Sequence, residues 1–360
     1  MFDFTKIAEP LLAWYDAGRR VLPWREEPTP YRVWVSEIML QQTRVEAVKP
    51  YFERFMKALP DTKALSEVPE ETLLKLWEGL GYYNRARNLQ KAAIQIENQY
   101  GGVIPSEYDT LLTLSGIGRY TAGAIASIAY GRKVPAVDGN VLRVIARVSA
   151  DEGDVLTEQV KRRIEQMLTE IMPADRAGDF NQALMELGAM VCIPNGEPKC
   201  EVCPWHSFCE ARIQGKIAEL PKKTPKKART IEEKTILVIR DENKVALRKR
   251  PTKGLLAGMY EFPWIAGHKN KEEVVDYLKE IGLQTLRIQP LPEAKHIFTH
   301  KEWHMVGYVV RVDELARAEG NAQDLLFVET KETEEKFPIP SAFVAYTKYL
   351  NIKIGNSKFL

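Results

Sequence analysis

The chain has 360 residues, of which 45% are hydrophobic and 28% charged, and a net charge of +2. This composition is ordinary for a globular protein and excludes a disordered chain, a collagen or a coiled-coil rod; the length suggests two or three domains of roughly 100–200 residues each. No run of about 18 apolar residues is present to span a bilayer, and the opening Met1-Phe2-Asp3-Phe4-Thr5-Lys6 lacks the features of a signal peptide, so the chain is expected in the cytoplasm.

Residues 1–220 are predicted to be mostly helical. Apolar residues recur at helical spacing in Val33–Met56, Leu73–Trp77, Ala122–Tyr130 and Phe180–Met190, with Gly, Pro and Asp breaks between them. Glu37 sits in Tyr31-Arg-Val-Trp-Val-Ser-Glu-Ile-Met-Leu-Gln-Gln42. On a helix its neighbours are Val33, Trp34, Ile38, Leu40 and Gln41, so its carboxyl is expected to be partly desolvated and its pKa raised. Further on, Leu114-Ser-Gly-Ile-Gly-Arg-Tyr-Thr-Ala-Gly123 places two glycines between helix-like stretches. Gly116 and Gly118 leave backbone amides uncovered at a helix amino terminus, where they can hold a phosphate. The unit reads as a helix–hairpin–helix that grips a DNA backbone without reading sequence.

Asp138, in Val134-Pro-Ala-Val-Asp-Gly-Asn-Val141, precedes another helical pattern and is expected to cap it, held ionised by amides and dipole. A raised carboxyl and an ionised one form the pairing needed for acid-assisted departure and charge stabilisation at a sugar carbon. All four cysteines fall together, at Cys192, Cys200, Cys203 and Cys209, in a C-x7-C-x2-C-x5-C segment punctuated by Pro194, Gly196, Pro198 and Pro204. Four thiolates on one loop suit either a tetrahedral zinc site or an iron–sulfur cluster, and spacing alone does not separate the two. Residues 221–230, PKKTPKKART, contain five basic residues and two prolines and read as an exposed linker. The period then changes. Thr235–Arg240, a turn at Asp241–Asn243 and Val245–Arg250 predict a β-hairpin, Glu272–Ile281 a helix, and Ile297–Val310 further strands. His296, His300 and His304 fall four residues apart, but on strand and loop that spacing carries no metal-site meaning.

Taken together these motifs resemble the adenine DNA glycosylases of the MutY type, within the helix–hairpin–helix superfamily that includes endonuclease III. The matching pieces run in family order: Leu22-Pro-Trp-Arg25, Val35–Thr43, Trp77-Glu-Gly-Leu-Gly-Tyr-Tyr83, the hairpin, Val137-Asp-Gly-Asn140, Phe180–Gly188 and the cysteines. The resemblance implies a multidomain fold: a mostly α-helical glycosylase domain over 1–220, with its six-helix part at about 25–130 and its cluster part at 1–24 and 131–220, then the linker, then an α+β Nudix-like domain over 231–360. It also implies a [4Fe–4S] cluster on the four cysteines, although the first spacing here has seven intervening residues in place of the usual six. The implied activity is hydrolysis of the bond between adenine and its sugar, opposite 8-oxoguanine or guanine in duplex DNA, by a monomeric, nucleoid-associated enzyme.

By the same resemblance Glu37 is the acid that protonates adenine N7 and later activates water, and Asp138 stabilises the sugar cation and forms a covalent intermediate. Tyr120 and Asn140 assist around Asp138, while Trp24, Arg25 and Gln182 line the adenine pocket. Relatives that also cut the strand carry a lysine where this chain has Tyr120, so release of the base without strand cleavage is expected. Gln42 and Tyr82 match positions that wedge beside the opposite base. Phe298-Thr299-His300 matches a Phe-Ser-His loop that contacts 8-oxoguanine, with Thr299 in place of Ser. The stretch Val275–Leu283 keeps Glu280 and Gly282 but lacks the glutamate pattern that holds Mg²⁺ in Nudix hydrolases, so pyrophosphate hydrolysis is not expected.

Overall fold

The structure, a computed structural model, describes residues 2–225, 228–313 and 324–354. The chain divides into two compact units: Met1–Glu67 with Asn88–Lys226, and Val68–Arg87 with Lys227–Leu360. The segment Val68–Arg87, which a linear division of the sequence assigns to the helical domain, thus groups with the C-terminal residues. Its Lys75 Nζ donates to the carbonyls of Thr333 (3.0 Å) and Phe337 (3.1 Å), and Glu78 accepts from the amide of Ile339 (2.8 Å).

The first unit is helical. The apolar stretch Val33–Met56 folds as two helices, Pro30–Leu40 and Val45–Ala58, because the chain turns at Gln41–Arg44. Thr29 caps the first, accepting from the amide of Arg32, and Pro30 stands at its first turn, where a missing N–H costs nothing. The helix Gly139–Val148 is the centre of the unit. All residues from Val141 to Val148 are buried, and it packs against Ala177–Met190. A Cβ on Gly188 would lie 2.7 Å from Asn140 Cβ, so the absent side chain lets these two helices approach. Ile7, Leu11, Tyr15, Val144, Ile145, Phe180, Leu184 and Trp205 form the shared apolar core.

The second unit contains a seven-stranded sheet. Its strands are β1 (Thr230–Asp241), β2 (Lys244–Lys249), β3 (Tyr260–Glu261), β4 (Trp264–Ala266), β5 (Thr285–Ile297), β6 (Lys301–Val312) and β7 (Leu325–Glu329). The predicted hairpin is present, with Arg240 opposite Val245 and Asp241 opposite Lys244. Strand β1 also runs parallel to β6 and antiparallel to β4. It is buried on both faces, which explains its unbroken apolar run. Ile236 and Val238 join Phe262, Trp303, Phe343 and Tyr346, whereas Leu237 and Ile239 meet Val274 and Leu278 of the helix Lys271–Glu280. That helix begins with a capping box between Asn270 and Glu273. His296 lies near the end of β5 and His304 on β6, as expected of strand residues. Among the described residues no helix is long and apolar enough to cross a membrane.

Candidate active site

An open cleft of about 1200 Å³ in the first unit is lined by Trp24, Arg25, Glu37, Gln42, Tyr120, Asp138, Asn140 and Gln182. Residues dispersed from 24 to 182 in sequence thus face one space. Glu37 comes from the helix Pro30–Leu40, Tyr120 from Arg119–Ala124, Asp138 and Asn140 from the start of Gly139–Val148, and Gln182 from Ala177–Met190.

Glu37 is only 6% exposed. Burial raises its pKa from 4.5 to about 7, even though Tyr120 donates a hydrogen bond that works in the opposite direction. Tyr120, expected to assist around Asp138, donates its hydroxyl to Glu37 Oε2, has Met185 Sδ 3.1 Å away, and also feels the Asp138 charge. Burial and the neighbouring carboxyl raise the Tyr120 pKa well above the usual phenol value.

Asp138 caps its helix as expected. Its Oδ1 accepts from the amides of Asn140 and Val141, each at 2.8 Å, and its Oδ2 accepts from Asn140 Nδ2 at 2.8 Å. These bonds favour the anion. Burial nevertheless outweighs them, and the pKa of Asp138 is raised rather than lowered. The cap is as expected, and it moderates a desolvation penalty that sequence inspection cannot reveal. Asn140 is fixed in turn by Arg143 Nη2, which donates to its Oδ1 (2.9 Å) and to the Gly188 carbonyl (2.8 Å).

The hairpin follows the short helix Tyr108–Leu111. Gly116 has φ +74°, a left-handed value, and a Cβ there would meet Asn88 Cβ at 2.6 Å. At Gly118, the residue before the helix Arg119–Ala124, an added Cβ would find nothing within 4 Å, leaving the backbone open to a ligand. Gln42 and Tyr82, the two residues expected to wedge into DNA, both hold left-handed backbone, with φ of 59° and 49°. This conformation is uncommon for side chains of their size, and strain of this kind collects at functional positions. Tyr82 belongs to the second unit and is 51% exposed. Its hydroxyl lies 3.3 Å from Thr299 Oγ1, in the turn between β5 and β6. Beside Thr299, Phe298 packs edge-on against Trp303 (4.8 Å between ring centres), and His300 is exposed.

The four cysteines of the first unit border one small cavity together with Arg147, Val191, Pro198, His206, Arg212 and Ile217. Cys192 Sγ is 3.4 Å from Arg147 Nη1. Burial pushes the Cys203 thiol up to about 12 and raises Cys200 and Cys209, so thiolates here require a compensating cationic centre. Among the described residues no three His, Cys, Asp or Glu side chains close on a point as they do around a single ion. Between Cys192 and Cys200 the chain makes an exposed turn at Pro194-Asn195-Gly196, and the loop closes where Lys199 N donates to the Val191 carbonyl (3.0 Å).

Glu186 and Arg20 also line the cleft, and the sequence reading missed both. A signal was available for Glu186: it lies four residues after Gln182, on the same face of the same helix.

The fold and cleft are those of a helix–hairpin–helix protein joined to a Nudix-type sheet. Residues 35–170 match the HhH-GPD superfamily of base excision DNA repair proteins, and residues 235–349 match the NUDIX domain. The chain is 36% identical over 303 residues to the adenine DNA glycosylase of Buchnera aphidicola from Acyrthosiphon pisum, covering 84% of this chain and 85% of that one. It is 35% identical over 370 residues to the Mus musculus adenine DNA glycosylase, covering 87% and 72%. Among solved structures, a thermostable thymine-DNA glycosylase is similar with a TM-score of 0.53 and 29% identity, over 57% of this chain and 95% of that one. Endonuclease III in a non-covalent DNA complex is similar with a TM-score of 0.51 and 25% identity, over 60% and 99%. The chain belongs to the adenine DNA glycosylase family.

Proposed function

We propose that this enzyme removes adenine standing opposite 8-oxoguanine or guanine in duplex DNA, leaving an abasic site. The observation that carries the reading is the pair of carboxyl groups in one cleft. Glu37 is protonated up to about neutral pH and hydrogen-bonded by Tyr120, and Asp138 is oriented by three N–H donors. The target nucleotide must leave the helix stack to reach them.

Glu37 gives its proton to adenine N7. The electrons of the bond between C1′ and N9 then pass to the base, which departs neutral rather than as an anion. Asp138 meets the cationic C1′ and bonds to it through a carboxylate oxygen. Glu37, now ionised, takes a proton from water as the water attacks C1′ and Asp138 leaves, which retains configuration. The Tyr120 hydroxyl supports the charged form of Glu37 in this second half. The Tyr120 phenol has no amine with which to form a Schiff base, so the strand is expected to stay intact.

Trp24, Arg25 and Gln182 shape the base pocket, and the amides at Gly116 and Gly118 hold a phosphate. Residues 231–360 form the recognition domain, in which Phe298, Thr299 and His300 read the base opposite adenine; Gln42 of the first unit and Tyr82 of the second are wedge residues. Cys192, Cys200, Cys203 and Cys209 would hold a [4Fe–4S] cluster. All four thiols border one cavity, and Arg147 beside Cys192 would offset thiolate charge. Such a centre would supply a metal–thiolate staple for the loop, with one-electron chemistry available to it. The enzyme acts as a monomer on the nucleoid.

The test is single-turnover reaction of a duplex with one adenine opposite 8-oxoguanine, read with and without alkali. Strand breaks only after alkali are expected. Breaks without alkali would reveal a lyase, and no product from protein with a full complement of iron would refute the substrate assignment.

A further inference from the structure

Glu186 is a carboxylate that the reaction above does not use. It is 1% exposed, yet it borders the cleft. Its Oε1 accepts from the Arg20 amide at 2.8 Å and lies 3.4 Å from Arg20 Nε. Its Oε2 lies 2.6 Å from Arg25 Nη1, an ion pair without the alignment of a good hydrogen bond. Arg25 Nη1 also donates to the Arg20 carbonyl at 3.1 Å, and its guanidinium lies 5.6 Å from the ring centre of Tyr15. Both arginines line the same cleft.

A buried ion pair of this kind is a poor way to stabilise a fold, since an apolar side chain of the same volume commonly does as well. Its effect is geometric and electrostatic. One carboxylate holds two guanidinium groups that would otherwise repel each other, and it leaves the wall of the cleft with one net positive charge instead of two.

Resting on the adenine-releasing function proposed above, we propose that Glu186 is a positioning residue of the base pocket: it holds Arg20 and Arg25 in place along the cleft and cancels one of their charges beside Glu37. The charged and titratable groups facing Glu37 are Tyr120, Asp138 and Arg25. Those facing Glu186 are Arg20, Arg25 and Tyr15. Removing the Glu186 charge therefore reaches Glu37 through Arg25, whose uncompensated cation favours the ionised acid.

The experiment is single-turnover adenine release across pH with the wild type, Glu186→Gln, Glu186→Asp, Arg25→Gln and the double variant Arg25→Gln/Glu186→Gln. Glu186→Gln should slow release by about 10²-fold, the scale of a displaced positioning group. The pH above which the rate falls should move down in this variant, and Glu186→Asp should recover part of both effects. In the double variant the loss of Glu186 should cost less than it does in the wild type, because Arg25 is gone and only the contact with Arg20 remains. A Glu186→Gln enzyme with the wild-type pH profile would overturn the proposal, whether its rate is intact or reduced only by a smaller active fraction. So would effects that multiply in the double variant. If Glu186→Gln does not fold, the comparison of Arg25→Gln with the double variant decides on the same terms. Inactivity of the wild type would instead refute the proposed function and is distinguishable from all of these results.

Discussion

Replacing Glu37 with Gln should make the protein more stable at alkaline pH while abolishing base release. The folded state holds the Glu37 proton up to a pKa of about 7, whereas the unfolded chain releases it near the ordinary value of 4.5. Between these values the folded state binds more protons than the unfolded state, so stability falls as pH rises through the window. At about 1.4 kcal/mol per unit, the full cost is about 3 kcal/mol, reached above about pH 7. Glu37 is buried, so solvent screening takes little from this figure. A glutamine has no proton to lose, fills nearly the same volume and still offers Tyr120 an acceptor. The gap in unfolding free energy between Glu37→Gln and wild type should therefore widen by about 2–3 kcal/mol from about pH 5 to about pH 8. Guanidinium unfolding of the full chain, followed by tryptophan fluorescence at several pH values, measures it. A gap that does not change with pH, or a variant less stable than wild type at about pH 8, would refute a buried, protonated Glu37.

Other outcomes follow from the same geometry. Asp138→Asn should lower the single-turnover rate by at least about 10²–10³-fold while duplex affinity survives, as a binding assay beside the rate measurement would show. The wild-type rate should decline above about pH 7 as Glu37 ionises. Tyr120→Phe, which removes a hydrogen bond that lowers the Glu37 pKa, should move that decline to higher pH; a shift to lower pH would contradict the bond. Thr299→Ala should reduce the preference for 8-oxoguanine over guanine more than it reduces excision opposite 8-oxoguanine, whereas equal losses on both duplexes would argue against a reading role. Cys203→Ser should lower bound iron, measured by metal analysis and visible absorbance, and should lower the thermal midpoint; unchanged iron would remove Cys203 from the ligand set.

Several features were legible from local pattern because local physics determines them. Two apolar runs flanking a turn at Asp241–Asn243 located the hairpin of β1 and β2. A carboxylate before a helical pattern announced the cap at Asp138, and an apolar neighbourhood at helical spacing announced a raised Glu37. Other features escaped because they depend on what arrives from far along the chain. The partner of Tyr120 is a residue 83 positions away, and no spacing rule chooses between Glu37 and Asp138. The pKa of Asp138 moves upward because the whole cleft desolvates it, a sum over neighbours that a cap motif does not contain.

By itself, then, the sequence determined that a mostly helical part precedes an α+β part, that the cysteines cluster along the chain, and that Glu37 has apolar neighbours, all set by residues close together in the chain. Only the tertiary structure decided that Val68–Arg87 groups with the C-terminal unit, that Tyr120 is hydrogen-bonded to Glu37, and that Glu186 pairs with Arg20 and Arg25 at one wall of the cleft. The physical reason is common to all three: burial and charge pairing are properties of a point in space, and only folding brings distant residues to the same point.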